Sequence, residues 1–252
     1  MTRTVRMSTF IIWYGDWSNR PVPGVLTDFI KNIGGTAYFN INSSYYDCNP
    51  GGEKDSVVNR VNYGGSCKDN YSVGTSLTDQ NMADIMENAI FTKKCLPHDP
   101  QNGIYFVMTS ADVIETSGFC SSYCAWHGWD QLLNGEKLAN AFIGNSDQCA
   151  YNCAWQYQLP TPNNSVAADG MVNMIAHELS ETVTDPFVTG WWSDSLGVNI
   201  GENGDLCAWT FGKTKFLPNG SYCNVKFGGR PWLIQRIWVN ARGGYCALAF
   251  DE

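Results

Sequence analysis

The chain has 252 residues, enough for one large domain with a real core. Its formal net charge of -8 argues against nucleic acid and anionic membranes as partners. Only 16% of residues are charged while 13% are aromatic, and the ten cysteines are scattered without C-x-x-C pairs. That pattern suits an extracellular, loop-rich protein with about five disulfides and disfavours a zinc ribbon. Four sequons, at Asn42, Asn70, Asn163 and Asn219, fit a glycosylated surface.

In chain order, the start MTRTVRMSTFIIWYGDW has an apolar run too short for a signal peptide, and no transmembrane run follows. Ser8–Trp13, apolar without alternation, predicts a buried first strand of a mature, secreted chain. After Pro21-Val22-Pro23-Gly24, Val25–Ile33 predicts a helix stopped by Gly34-Gly35. Tyr38–Tyr46 and Val57–Tyr63 predict strands, the second closed by Gly64-Gly65. Thr78–Lys94 predicts a helix with Met82, Ile85, Met86, Ala89 and Ile90 as its apolar stripe. Ile104–Thr109 predicts a central strand and Leu138–Ile143 another. Two C-x-x-x-C spacings, at Cys120/Cys124 and Cys149/Cys153, flank them, with His127 after the first.

Asp169–Pro186 predicts a long amphipathic helix, capped by Asp169 and stopped by Asp185-Pro186. Opposite its apolar arc, His177, Glu181 and Asp185 stack at i, i+4 and i+8, with Glu178 beside them. H-E-x-x-E differs from the zinc-peptidase helix H-E-x-x-H in one ligand. Carboxylate is a legitimate zinc ligand, though it leaves bound water less acidic than imidazole does. The alternative is an ordinary helix showing its polar face to water.

Beyond the helix, Trp191–Asp194 and Val198–Glu202 predict a hairpin about Ser195-Leu196-Gly197, and Trp232–Val239 a strand. Gly201–Cys207 supplies Glu202 as a third ligand, so His177, Glu181 and Glu202 would hold zinc. Glu178 would activate the water, with Asp185 or Asp205 orienting a ligand or replacing one. A polar turn tied down by Cys207 is the alternative. Calcium is the alternative ion for so many oxygens, although imidazole disfavours it. His127 reads either as a packed histidine or as a substrate-binding group in the cleft, and His98 as a loop residue. Trp13, Trp126, Trp129, Trp191 and Trp192 offer either core filling or a sugar-stacking platform.

The expected fold is α/β (α+β): a zincin-like mixed sheet on a metal-bearing central helix (residues 1–186), with a small disulfide-rich part (187–252) completing the site. The expected activity is that of a secreted zinc-dependent hydrolase, a metallopeptidase acting on peptide as a monomer. A non-catalytic protein with a structural ion, or a glycan-active enzyme using paired carboxylates, are the alternatives.

Four stretches resemble the phosphate-induced/EXORDIUM-like family: Ile12–Trp17; Phe119-Cys120 through Cys124–Gly128; Ile143–Ser146 with Cys149 and Cys153; and Ala176–Glu181 with Asp185-Pro186 and Glu202–Cys207. The resemblance implies secretion, one disulfide-bonded domain and a role in the apoplast or cell wall in growth and carbon signalling, so that a cell-wall polymer is the other expected substrate and a wall protein the non-catalytic alternative. It places the His-Glu helix and the Glu-Asp turn in one shared pattern without assigning catalysis. Family members from plants often carry Asn where Asp185 stands, which argues against a ligand there.

Overall fold

A computed structural model describes residues 7–18, 21–48, 52–194 and 200–251. Its centre is a five-stranded sheet of β1 (Met7–Tyr14), β2 (Val61–Asp69), β3 (Gly103–Thr109), β4 (Ala125–Gln131) and β5 (Lys137–Ile143), in the order β2-β1-β3-β5-β4. All neighbours run parallel except β4, which pairs antiparallel to β5 and forms one edge. Helices α1 (Val22–Ile33) and α3 (Val166–Thr184) cover one face, and α2 (Asn81–Glu87) the other.

Both faces are buried, which explains the unbroken apolar runs. Along β1, Met7, Ile11 and Trp13 join the core with α1 and α3, whereas Phe10, Ile12 and Tyr14 join the core with α2. Side chains alternate across a strand, so each face collects its own set. Every fully buried Ile, Leu or Phe contributes about 1.5–3 kcal/mol. The same period aims His127, two residues after Ala125, at the α3 side, while Trp126 stacks on Phe142 beneath.

The structure corrects several expectations. Tyr38–Tyr46 is not a strand: Phe39–Ser44 forms a 3₁₀ helix, and a short strand begins at Tyr46. Thr36 Oγ1 accepts from Phe39 N–H, and Ser43 and Ser44 hydroxyls donate to carbonyls three residues back. Such short polar side chains satisfy backbone groups locally and outcompete a ladder. The strand expected at Val57 begins at Val61 and runs through Gly64-Gly65 rather than stopping there. At Gly64 a Cβ would lie 2.2 Å from the Phe10 ring, and the register with β1 shifts between Thr9 and Phe10, so this glycine pair is a bulge. The Thr78–Lys94 helix is shorter: α2 passes into a π-helical turn at Asn88–Thr92. Trp232–Val239 divides into Arg230–Trp232 and Ile237–Val239. Of the expected hairpin only a Ser193–Gly201 bridge lies among the described residues, and its turn lies outside them.

Helix α3 is capped by Ser165, whose Oγ accepts from Ala168 N–H, not by Asp169. Asp169 in the first turn binds the Asn163 backbone and side-chain N–H groups instead. The helix ends at Thr184, ahead of Asp185-Pro186. Its polar side does not meet solvent: from Ala167 to Thr184 every residue but His177 is buried. The chain after Pro186 covers it, and Trp232, Ile234, Ile237 and Val239 enter the same core as β1 and α1.

Four disulfides join Cys67–Cys95, Cys120–Cys149, Cys124–Cys153 and Cys207–Cys246, and Cys48 and Cys223 are free thiols. That is one bridge fewer than the cysteine count suggested. Of the sequons, Asn42 is buried and cannot carry a glycan, whereas Asn70 is exposed. No helix among the described residues is long and apolar enough to cross a membrane. Thiol titration will find one group, Cys48, reacting in the native protein, and Cys223 only after unfolding. Two unreactive thiols after full denaturation without reductant would contradict the pairing.

Candidate metal centre

Helical spacing places His177 and Glu181 on one stripe of α3, and His177 Nε2 lies 2.9 Å from Glu181 Oε1. Glu178 sits one residue on, buried at 4% exposure. The Gly201–Cys207 segment lies against this stripe and is fixed on several sides. Asn203 Nδ2 donates to Ser180 O and Asn42 Oδ1, Asn203 O accepts from Trp238 N–H, and the Cys207–Cys246 disulfide closes the end. Gln235 Nε2 donates to Gly204 O. Asp205 N–H donates to Glu181 Oε1, and Asp205 Oδ1 lies 3.5 Å from His177 Nε2.

The third contributor is β4. His127 points from the sheet edge toward α3, with Nε2 2.9 Å from Glu202 Oε2 and 3.6 Å from Glu181 Oε2. The side chains therefore form two groups that share Glu181: His127, Glu181 and Glu202 on one side, and His177, Glu178 and Glu181 on the other. Within each, the ligand atoms lie within 4.8 Å of one another, and neither group contains both His177 and Glu202. Of the trio expected to share one ion, the structure brings His177 to Glu181 and sets Glu202 against His127. Asp185 instead closes the turn after the helix, where its Oδ1 accepts from Thr189 and Gly190 N–H.

Sequence reasoning did not find His127 as a partner of these carboxylates. The available signal was its parity with Ala125 on an edge strand, which becomes informative only once β4 is known to lie over α3. The five tryptophans do not make one sugar platform. Trp13 packs in the core against Trp17, Trp191 meets Tyr45 edge-on, and Trp126 stacks on Phe142. A cleft of about 370 Å³ opens over the second group, with His177, Glu178 and Asp205 in its wall beside Tyr123, Asn152 and Trp209. His127, Glu181 and Glu202 lie behind that wall.

Burial and mutual charge set the proton affinities. For His127, burial opposes the charged form, but the Glu202 hydrogen bond and the Glu181, Glu202 and Glu178 charges prevail and lift its pKa to about 9. His177 is likewise opposed by burial and raised well above its ordinary value by Glu181 and Glu178. Burial pushes Glu178 up to about 8, against the pull of His177. Burial also raises Glu202, against the hydrogen bond from His127. Asp205 goes the other way: burial opposes its ionised form, but the hydrogen bond from His177 and the charge behind it prevail and lower it. The cluster thus holds protons where a cation would replace them.

The sequence model of the phosphate-induced protein 1 conserved region matches residues 2–246, and the chain belongs to that family. Protein EXORDIUM-like 5 of Arabidopsis thaliana is 29% identical over 270 residues, covering 92% of this chain and 71% of its own length. Protein EXORDIUM of the same plant is 29% identical over 272 residues, covering 92% and 82%. Protein PHOSPHATE-INDUCED 1 of Nicotiana tabacum is 27% identical over 237 residues, covering 82% and 70%. No solved structure matches the chain.

Two outcomes test the geometry. A group whose folded pKa is raised contributes stability below its unfolded value and loses it as pH climbs through the folded one. His127, from 6.5 to about 9, and Glu178, from 4.5 to about 8, both have this sign. The chelated protein will therefore lose about 2 kcal/mol or more between pH 6 and 9, roughly 4–8 °C in Tm. Melting curves independent of pH in chelator would refute this. Second, a Cβ on Gly204 would lie 2.7 Å from Glu181 Oε1 and 3.0 Å from the His177 ring. Gly204→Ala will cost about 1–3 kcal/mol of stability by forcing these side chains apart, and an unchanged Tm would refute it.

Proposed function

We propose that the protein is a secreted, zinc-dependent hydrolase that cleaves a peptide or a cell-wall polymer bound in the cleft over α3. The observation that carries this reading is Glu178: a buried carboxyl facing the cleft, next to a histidine and carboxylate suited to a cation. His177 and Glu181 would hold the ion, with Asp205, whose Oδ1 lies 3.5 Å from His177 Nε2, as a further carboxylate. Bound there, zinc would supply a Lewis acid and a more acidic water. Glu178 keeps its proton to about pH 8 without an ion and would ionise beside one. It would then accept a proton from the attacking water and deliver it to the leaving group. Asn152 lines the same cleft, and the N–H that its side-chain amide does not give to Cys120 O could meet a substrate carbonyl.

Secretion is supported by the disulfides and by the family, whose named members are EXORDIUM-like and phosphate-induced plant proteins. A mixed sheet with the His-Glu helix beneath it is also the arrangement of zinc peptidases generally, which supports the class by analogy. The ion is zinc rather than calcium in this reading because two imidazoles face the cluster. A second reading, a non-catalytic extracellular protein with a structural ion, draws on the burial of His127, Glu181 and Glu202 away from the cleft.

The deciding experiment pairs metal content with hydrolysis of casein and of wall-polysaccharide panels. Glu178→Gln will keep zinc and lose about 10²–10⁴-fold in kcat. Bound zinc with hydrolysis untouched by the substitution, or with no hydrolysis in the unsubstituted protein, would favour the structural ion.

A further inference from the structure

The cleft-side reading leaves His127 and Glu202 without a role, although they are built into the same cluster. We infer that the cluster holds two cations, with Glu181 as the carboxylate between them. One ion lies at His177, Glu181 Oε1 and Asp205, the other at His127, Glu181 Oε2 and Glu202. Only the first of these rests on the hydrolase reading.

Three observations carry the second site. The donor atoms divide cleanly about Glu181: Oε1 faces His177 at 2.9 Å and Oε2 faces His127 at 3.6 Å. Donors about 2.1 Å from a tetrahedral ion stand about 3.4 Å from one another, and the contacts of 2.9 and 3.6 Å around His127 Nε2 bracket that spacing. A carboxylate bridge suits ions about 3.5–4 Å apart, the separation of two-metal hydrolytic sites.

Glu202 supplies the second observation. It is 7% exposed, and its Oε1 is buried without a hydrogen-bond partner although Oε2 meets His127. A buried carboxylate oxygen left bare is costly, and a cation satisfies it. The third is charge. Glu178, Glu181, Glu202 and Asp205 carry four negative charges when ionised, around two imidazoles that are neutral when they ligate. Two divalent ions cancel all four, whereas one leaves two for His127 to offset with at most one proton.

The mixed nitrogen and oxygen donors suit zinc, with cobalt(II) or manganese(II) as substitutes. The inner ion lies behind the cleft wall, so its part is to fix Glu181 and to raise the positive field at the outer site.

The test uses the full chain stripped with chelator and titrated with zinc, read by calorimetry and by elemental analysis after desalting. Two equivalents per chain are expected, falling to one in Glu202→Gln. Cobalt(II) loading will give a spin-coupled pair in the unsubstituted protein and an isolated ion in the variant. A single equivalent in the unsubstituted protein, or loss of all metal in a folded Glu202→Gln, would overturn the two-ion site. If the variant fails to fold, the stoichiometry and spin coupling of the unsubstituted protein still decide. One equivalent together with hydrolysis that depends on Glu178 would leave the hydrolase standing, whereas no zinc at all would remove both.

Discussion

Glu181 is the pivot of this molecule. One buried carboxylate receives a histidine on each oxygen, one from its own helix and one from the far edge of the sheet. Gathering Glu178 and Glu202 beside it in the interior is costly in desolvation and repulsion, whereas burying apolar surface is favourable. The arrangement persists because the surrounding chain is committed to it from three directions: α3 beneath, β4 to one side and the Gly201–Cys207 turn to the other.

The fold supplies that commitment through ordinary packing. A sheet buried on both faces gives α3 a rigid bed, and Ile11, Phe106 and Ala141 fill it from below. The antiparallel run of β4 carries His127 over the helix. Cys120–Cys149 and Cys124–Cys153 pin the approach to that strand onto the segment leading into α3. On the remaining side the hydrogen bonds of Asn203 and Gln235 hold the turn in place, and Gly204 leaves room for its backbone beside the carboxylate. Clusters of perturbed carboxylates and imidazoles are retained chiefly where chemistry or a cation needs them.

Membership in the phosphate-induced family places the chain among proteins known by their EXORDIUM and PHOSPHATE-INDUCED names. In the proposed reading, the cleft beside His177 and the closed group behind it would separate the two kinds of work a metal does: an open position permits turnover, and a closed one gives rigidity. Both would then lie on one carboxylate, Glu181.

The sequence by itself determined the central strands, the long helix, its stop before Asp185-Pro186 and the convergence of His177 with Glu181. These are local matters: unbroken apolar runs and a 3.6-residue period act within one element. It misread Tyr38–Tyr46, because short polar side chains binding their own backbone leave the same alternation as a strand, and it read Gly64-Gly65 as an end where the chain bulges. The cap expected at Asp169 falls to Ser165 because the turn leading into the helix decides which side chain reaches a free N–H, and the solvent-facing alternative for the polar side of α3 failed because a helix pattern does not reveal what will cover it. Only the tertiary structure decided that His127 joins the carboxylates, that Glu202 meets it instead of His177, and that Asp185 serves a turn. Each depends on which distant segments pack together, and the pairing of β4 over α3 is set by the whole sheet, not by any stretch of neighbouring residues.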